Sequence, residues 1–212
     1  MLPRGLAAVG FLLLSACASA PAATVVSQVP EPIALPAKLE TYELAPGAIA
    51  VEADVSAGSS YTLRFTRSSG KLVLAPDKIE ASQIEVFVDT TNVESSIQLV
   101  ADIAKDQFLH TYQHPSARFT SRALRKASSG GLELWGDLDF HGTKKSLVVP
   151  ATIEVDACWI KLACEFAIDR RTFGAVSDGS LDGVVSDEVT IRFEAEIRRE
   201  GAAKGCGEKR GE

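Results

Sequence analysis

The sequence is poor in positive charge. Twenty-two lysines and arginines face 28 acidic residues, for a net charge of −6 over 212 residues. A nucleic-acid binder needs a basic face to neutralise phosphates, and electrostatic docking on an anionic bilayer needs the same. Neither partner fits this chain. A spanning hydrophobic segment is missing at the N-terminus too: the apolar run from Gly5 to Ala16 covers 12 residues, where a membrane helix needs about 20. Histidine is scarce, with three in all. Two of them, His110 and His114 in FLHTYQHPSARF, are four apart, the spacing that would set two imidazoles on one helical face for a metal. His114, however, precedes Pro115, and a residue before proline is pushed out of helical geometry. No glutamate flanks His110 and no third ligand is spaced nearby, so no metal site is expected. No Ser/His/Asp order, paired-carboxylate cluster or phosphate loop stands out, so the sequence points away from an enzyme and offers no catalytic residue and no cofactor motif.

What is present begins with an export signal. Arg4 precedes the apolar run, which ends in Leu14-Ser15-Ala16-Cys17. That quartet resembles a bacterial lipobox. The resemblance implies that residues 1–16 are a signal peptide and that the Cys17 thiol carries a diacylglycerol. Acyl chains at about 0.8 kcal/mol per buried CH₂ hold a protein durably on a bilayer. Ala18 stands where an aspartate would retain a lipoprotein at the inner membrane, so the resemblance implies the periplasmic face of the outer membrane. Residues 17–40 carry Pro21, Pro30, Pro32 and Pro36. This density favours extended chain, a tether that could reach up to roughly 70 Å at about 3.1 Å per residue. Residues 201–212 read as a disordered polar tail.

Beyond Cys17 three cysteines follow, Cys158, Cys164 and Cys206. An odd number in an oxidising compartment leaves at least one free thiol or an intermolecular bridge. Six residues along one strand-like segment hold Cys158 and Cys164 beyond disulfide reach, and both read as small apolar fillers.

From Ala48 to Arg199 the dominant period is two. Ile49, Val51, Ala53 and Val55 alternate with Glu52 and Asp54, and Val189, Ile191, Phe193, Ala195 and Ile197 with Arg192, Glu194 and Glu196. Similar runs lie around residues 61–65, 84–88, 117–121, 132–140, 147–153 and 160–168. Such alternation means antiparallel strands with one apolar face inside and one charged face in water. About eight of them, punctuated at Ser68-Ser69-Gly70, Ser129-Gly130-Gly131 and His141-Gly142, predict an all-β antiparallel barrel over residues 41–200, since closure removes sheet edges. The charged outer face excludes a lipid-embedded barrel. One segment departs from this period. Ile97, Val100, Ala101, Ile103, Ala104 and Phe108 recur at three and four after Ser95-Ser96, predicting a single helix from Ile97 to about His110, capped by serine and placed over one opening.

Several stretches resemble the YceI-like, polyisoprenoid-binding family. They are DQFLHTYQHPSARFTSRAL at the helix exit, the hairpin LWGDLDFHGTKKSLVVPATI, the corner FAIDRRTFG and the closing strand VSDEVTIRFEAEI, with VDTTNVESS upstream. In this order they span about Ile79 to Arg199. Two departures stand out: His114 replaces a tyrosine, and Ala48–Phe65 lacks the histidines with which the family opens. The resemblance implies an extended lipocalin-like barrel whose apolar lumen holds a long-chain isoprenoid, a quinone-like molecule or a similar amphiphile. Inward side chains that would line such a lumen are Phe65, Val88, Phe119, Phe140, Phe166, Phe173 and Phe193. Each is equally readable as plain core, because small barrels are often filled by their own side chains. Asp169 and Arg170 read as a hydrogen-bonded corner rather than a catalytic pair.

Two functions follow. The first is noncatalytic binding of an apolar long-chain lipid for storage, shielding or transport in the cell envelope. The second is a filled-core barrel acting as an envelope protein-interaction module; the sequence leaves a homodimer open. Burying a 40-carbon tail from water would yield roughly 30 kcal/mol, beyond any real affinity. A tail drawn from a bilayer is already dry, so selectivity must come from lumen shape and a few polar groups.

Overall fold

The computed structural model describes residues 20–28, 30–31, 38–128, 130–179, 181–199 and 206. The signal segment 1–16, Cys17, residues 18–19, 29 and 32–37 of the proline-rich stretch and all of the 201–212 tail but Cys206 lie outside these. Within them the chain forms β1 (Thr24–Val25), β2 (Glu40–Leu44), β3 (Ile49–Ser56), β4 (Ser60–Phe65), β5 (Ser68–Leu74), β6 (Gln83–Asp89), β7 (Val93–Glu94), helix α1 (Gln98–Ile103), β8 (Ser116–Lys126), β9 (Leu132–Phe140), β10 (Thr143–Val155), β11 (Trp159–Asp169) and β12 (Glu188–Arg198).

The architecture is all-β and antiparallel, with twelve strands among the described residues rather than about eight. The four extra strands are β1, β2, β5 and β7. Two of these are only two residues long. Ser68-Ser69-Gly70, read as a turn, lies inside β5 and pairs with β6. Glycine is required there: a Cβ on Gly70 would stand 2.3 Å from the Glu85 carbonyl oxygen. The other two turns fall where the sequence puts them. Gly130 and Gly131 take positive φ between β8 and β9, while His141 (φ 52°) and Gly142 (φ 72°) form the two-residue link from β9 to β10. Two successive positive φ values match the strand twist in such a link.

Hydrogen bonding runs along one path, β2-β5-β6-β8-β9-β10-β11-β12-β3-β4-β7. No ladder among the described residues joins β2 to β7, so the sheet is curled into a half-barrel instead of closing. β10 pairs with β11 only from Thr152 to Val155. Nearer its start it separates from β11, and β1 fills that gap through Thr24↔Val148 and Val25↔Leu147. A parallel bridge, Ala22↔Ala167, ties the same segment to β11. The Ala167 N–H donates to the Pro21 carbonyl at 2.9 Å and the Val26 N–H to the Ser146 carbonyl at 2.9 Å. Residues 21–26 of the expected tether are therefore part of the sheet, because its separated edges offer unpaired N–H and C=O groups that an extended chain satisfies.

The expected single helix is shorter and uneven. α1 gives way to a π-helical turn over Ala104–Phe108. Ile97, not serine, occupies the N-cap, with no side-chain hydrogen bond. Ser95 Oγ is buried without a partner.

The interior has two parts. Toward the end where β8, β10 and β12 finish, Leu44, Leu72, Leu74, Leu124, Ile160 and Leu162 are fully buried and packed together. Each such side chain contributes about 1.5–3 kcal/mol relative to exposure. At this end Cys158 and Cys206 are joined by a disulfide. Cys158 is thus no apolar filler, and Cys206 lies against the end of β12, where Arg198 donates to its carbonyl. The opposite end, carrying α1, is hollow.

Candidate functional site: the lumen at the helix end

The hollow half is a cavity of about 470 Å³, within the range of small-molecule sites. Alternation supplies its walls: Ile84, Val86 and Val88 face it from β6, and Cys164, Phe166 and Ile168 from β11. Of the side chains singled out in the sequence, Phe65, Val88, Phe119, Phe140, Phe166 and Phe193 line it. Phe173 does not. It belongs to a short 3-10 turn, Arg170–Phe173, packs against the Phe140 ring at 5.7 Å and faces the β1 strap.

Polar wall groups are few, and among the described residues all but the Tyr61 hydroxyl are engaged. The Thr90 hydroxyl donates to the His114 carbonyl at 2.7 Å, and Arg118 pairs with Glu85 on the outer surface. Cys164 is a free thiol that burial pushes up to about 12, so it stays protonated and behaves as a small apolar group.

Arg170, 4% exposed, sits at the wall beside the mouth. Its Nε donates to the Ser186 carbonyl at 2.9 Å. Nη1 reaches the Ala175 carbonyl at 2.7 Å and Asp182 at 3.0 Å, and Nη2 the Val185 carbonyl at 3.1 Å and Asp187 at 3.2 Å. All five donors of the guanidinium are used, and its face lies 4.8 Å from the Phe108 ring centre. The backbone N–H of Ser177 and then Arg170 hold the Asp182 carboxyl below its usual range against the opposing effect of burial. The corner reading of Asp169 and Arg170 needs one adjustment: Asp169 caps the turn by accepting from the Arg171 N–H at 2.9 Å, and the acids that pair with Arg170 are Asp182 and Asp187. This one side chain therefore shapes the 175–187 segment, which adds Leu181, Val184 and Val185 to the lumen wall.

His141, distant in sequence, meets His110 and His114 at this end. His110 Nδ1 lies 3.0 Å from His141 Nε2, and the His114 and His141 rings are 4.0 Å apart. Gly142 leaves room for the stack, since a Cβ there would come within 3.1 Å of His114 Cε1. Burial first, then the charges of His114 and His110, lower the His141 pKa, while a backbone bond at Phe173 opposes the shift. Among the described residues no group of three His, Cys, Asp or Glu side chains is arranged to hold a metal ion. Sequence reasoning missed this cluster because only the topology brings the β9–β10 turn beside the helix exit. It also missed the mouth residues Ile97, Leu99 and Val184. Ile97 belongs to the helical stripe placed over an opening, which did not show that it forms the rim; Leu99 lies off that stripe.

A curled antiparallel sheet around an apolar cavity, with one short helix at its mouth, defines a β-fold built to enclose a guest. Residues 42–197 match the model of the YceI-like domain, and the chain belongs to that family. The UPF0312 protein of Shewanella denitrificans is 29% identical over 89 residues, 42% of this chain and 47% of that protein. A UPF0312 protein of Vibrio cholerae is 32% identical over the same length and shares. The aligned part spans about half the length of these relatives. Among solved structures, BcnA of Burkholderia cenocepacia superposes with a TM-score of 0.65 at 20% identity, covering 73% of this chain and 99% of that one. A polyisoprenoid binding domain from Saccharophagus degradans, implicated in plant cell wall breakdown, gives 0.56 at 16% identity, covering 76% and 99%. At such identities the likeness is one of fold.

Proposed function

We propose that the chain binds, without catalysis, a long-chain isoprenoid or similar amphiphilic lipid in its lumen, and so stores, shields or transports it in the cell envelope. The observation that carries this reading is the cavity itself: about 470 Å³, walled by aliphatic and aromatic side chains, with few polar groups and all but the Tyr61 hydroxyl already committed. Such a wall recognises a tail by shape and leaves the head group to the mouth. The polyisoprenoid binding domain with the same fold supports the ligand class. A quinone-like head on such a tail fits equally, since the wall selects the tail. The disulfide between Cys158 and Cys206 supports an oxidising compartment, consistent with export and with lipid attachment at Cys17 on the periplasmic side of the outer membrane. The filled-core alternative is disfavoured, because only the disulfide half of the interior is solid.

Native mass spectrometry of the protein after gentle extraction tests the reading. A bound apolar mass is expected, lost when the lumen is narrowed by Phe193→Trp. A clean apoprotein that also fails to take up a long-chain polyprenol from vesicles would overturn it.

A further inference from the structure

Large apolar side chains exposed on this protein are not evenly spread. Of eight such residues among those described, Ile97, Leu99, Tyr112 and Val184 all lie at the helix end. Three of the four do two things at once. Ile97, Leu99 and Val184 belong to the lumen wall and are nevertheless 48%, 65% and 57% exposed. Water-facing surface and lumen lining are there one continuous apolar sheet, running from the cavity over its lip.

The lip is held in place. Val184 rides on the segment that Arg170 fixes through its five hydrogen bonds. Ile97 and Leu99 open the helical segment whose Phe108 packs under the same guanidinium. Asp102 pairs with Lys105 at 3.2 Å, Asp182 and Asp187 with Arg170, and Asp187 again with Arg171 at 3.4 Å, while the exposed Asp106 and Asp178 on the same two segments make no ion pair among the described residues. Lys105, Arg170 and Arg171 are all engaged, so the rim offers an anionic surface no free positive charge. It asks only for an apolar phase.

We propose that this rim docks on a lipid bilayer, with Ile97, Leu99 and Val184 entering the boundary between head groups and acyl chains. The inference rests on the lipid-binding reading above. The occupant is set by what the lumen would carry: an apolar wall whose one free polar group is the Tyr61 hydroxyl takes a tail, and a long tail cannot pass through water between its source and the cavity. A lip that continues the lumen's surface into the bilayer gives the tail an unbroken apolar path. An interfacial apolar surface sinks about 5–10 Å into the head-group region. Because the contact is apolar and no free cation flanks it, docking is expected on zwitterionic lipid and is expected to depend little on salt.

The test uses the full chain reconstituted with phosphatidylcholine vesicles carrying brominated acyl chains. One variant, Leu99→Cys, places a fluorophore on the rim, and another, Lys126→Cys, places it at the disulfide end. The described native cysteines do not compete for the label, since Cys158 and Cys206 are bonded to each other and Cys164 is buried. Bilayer docking predicts loss of emission at position 99 and none at position 126, unchanged by added salt. Equal emission at both positions with and without brominated lipid would overturn it. So would shielding of position 99 that appears without vesicles and grows with protein concentration, which assigns the face to a second copy. The lipid-binding reading is tested separately by the bound mass of the unlabelled protein, so docking can fail while that reading stands.

Discussion

Adding a ring to the interior should have opposite effects in its two halves. Val86 faces the lumen from β6, and Leu124 is fully buried in the solid half on β8. In a packed core, extra methylenes force side chains off their rotamers and cost about 1–3 kcal/mol. Leu124→Phe should therefore destabilise by that amount. Val86→Phe pushes its ring into a void of about 470 Å³. If it dries roughly 50 Å² more apolar surface, at about 25 cal/mol per Å² it gains about 1 kcal/mol. In a domain of this size each kcal/mol moves Tm by about 2–4 °C, so the two variants should separate by roughly 4–16 °C. The assay is urea and thermal unfolding of delipidated protein, comparing midpoints at unchanged m-value. Ligand uptake gives a second reading: Val86→Phe should hold less polyprenol while being more stable. If Val86→Phe loses as much stability as Leu124→Phe, the cavity is not hollow in solution and the reasoning from lumen to carrier fails.

Arg170→Met leaves the Ala175, Val185 and Ser186 carbonyls without their side-chain donor and loosens Asp182 and Asp187, which keep the Ser177 N–H and Arg171; each acceptor that stays buried and unpaired costs about 1–3 kcal/mol, and an unmoved urea midpoint would refute the role given to this corner. The folded-state pKa of His141 is lowered from 6.5, so the unfolded chain takes up the proton first. Stability is then unaffected above about pH 6.5, falls as pH drops through that value, and levels off below the folded pKa. His141→Asn, which tolerates the positive φ, should weaken this acid sensitivity in unfolding measured from pH 8 to 5; an identical pH profile would remove His141 as its source. The Cys158–Cys206 bridge spans a sequence separation of 48, for which loop closure alone is worth about 4 kcal/mol. Replacing both cysteines by alanine should lower the urea midpoint accordingly and leave ligand binding at the far end unchanged.

How much of this was legible depends on how many residues carry each signal. β3, β9, β11 and β12 repeat the in–out pattern three times or more, and their alternation alone defines them. β2 offers only Tyr42 and Leu44 as buried positions, and β1 and β7 are too short to show any period. Ser68 to Gly70 reads as a turn by composition, yet pairing with β6 overrides that local preference, as tertiary context does for weak strand formers. The odd cysteine count correctly requires a thiol without an intramolecular partner, and Cys164 is free; no spacing could tell that Cys206, in a polar tail, returns to Cys158. For the site, inward aromatics were readable from alternation, and six of seven line the cavity. Phe173 fails because the corner turn at Arg170–Phe173 breaks the strand period before it. Whether inward side chains meet at an axis or surround a void is a property of curl and shear, which no single strand encodes.

The cavity also bears on stability. A closed void costs about 24 cal/mol per Å³ when its lining cannot collapse, so about 470 Å³ would cost at most on the order of 10 kcal/mol, a bound reached only if water were kept out at the mouth. Water that enters finds few partners, because it needs two to four polar groups and this wall offers chiefly the Tyr61 hydroxyl. Three features act against collapse: the solid leucine-rich half, the disulfide beneath it, and the β1 strap holding β10 and β11 at their separated edges. An apolar guest restores the missing dispersion contacts without asking the wall to move. On this argument the solid half maintains the fold and holds the hollow half open. Under the proposed lipid-binding function, whatever strain is relieved on filling the lumen adds to the affinity for a tail.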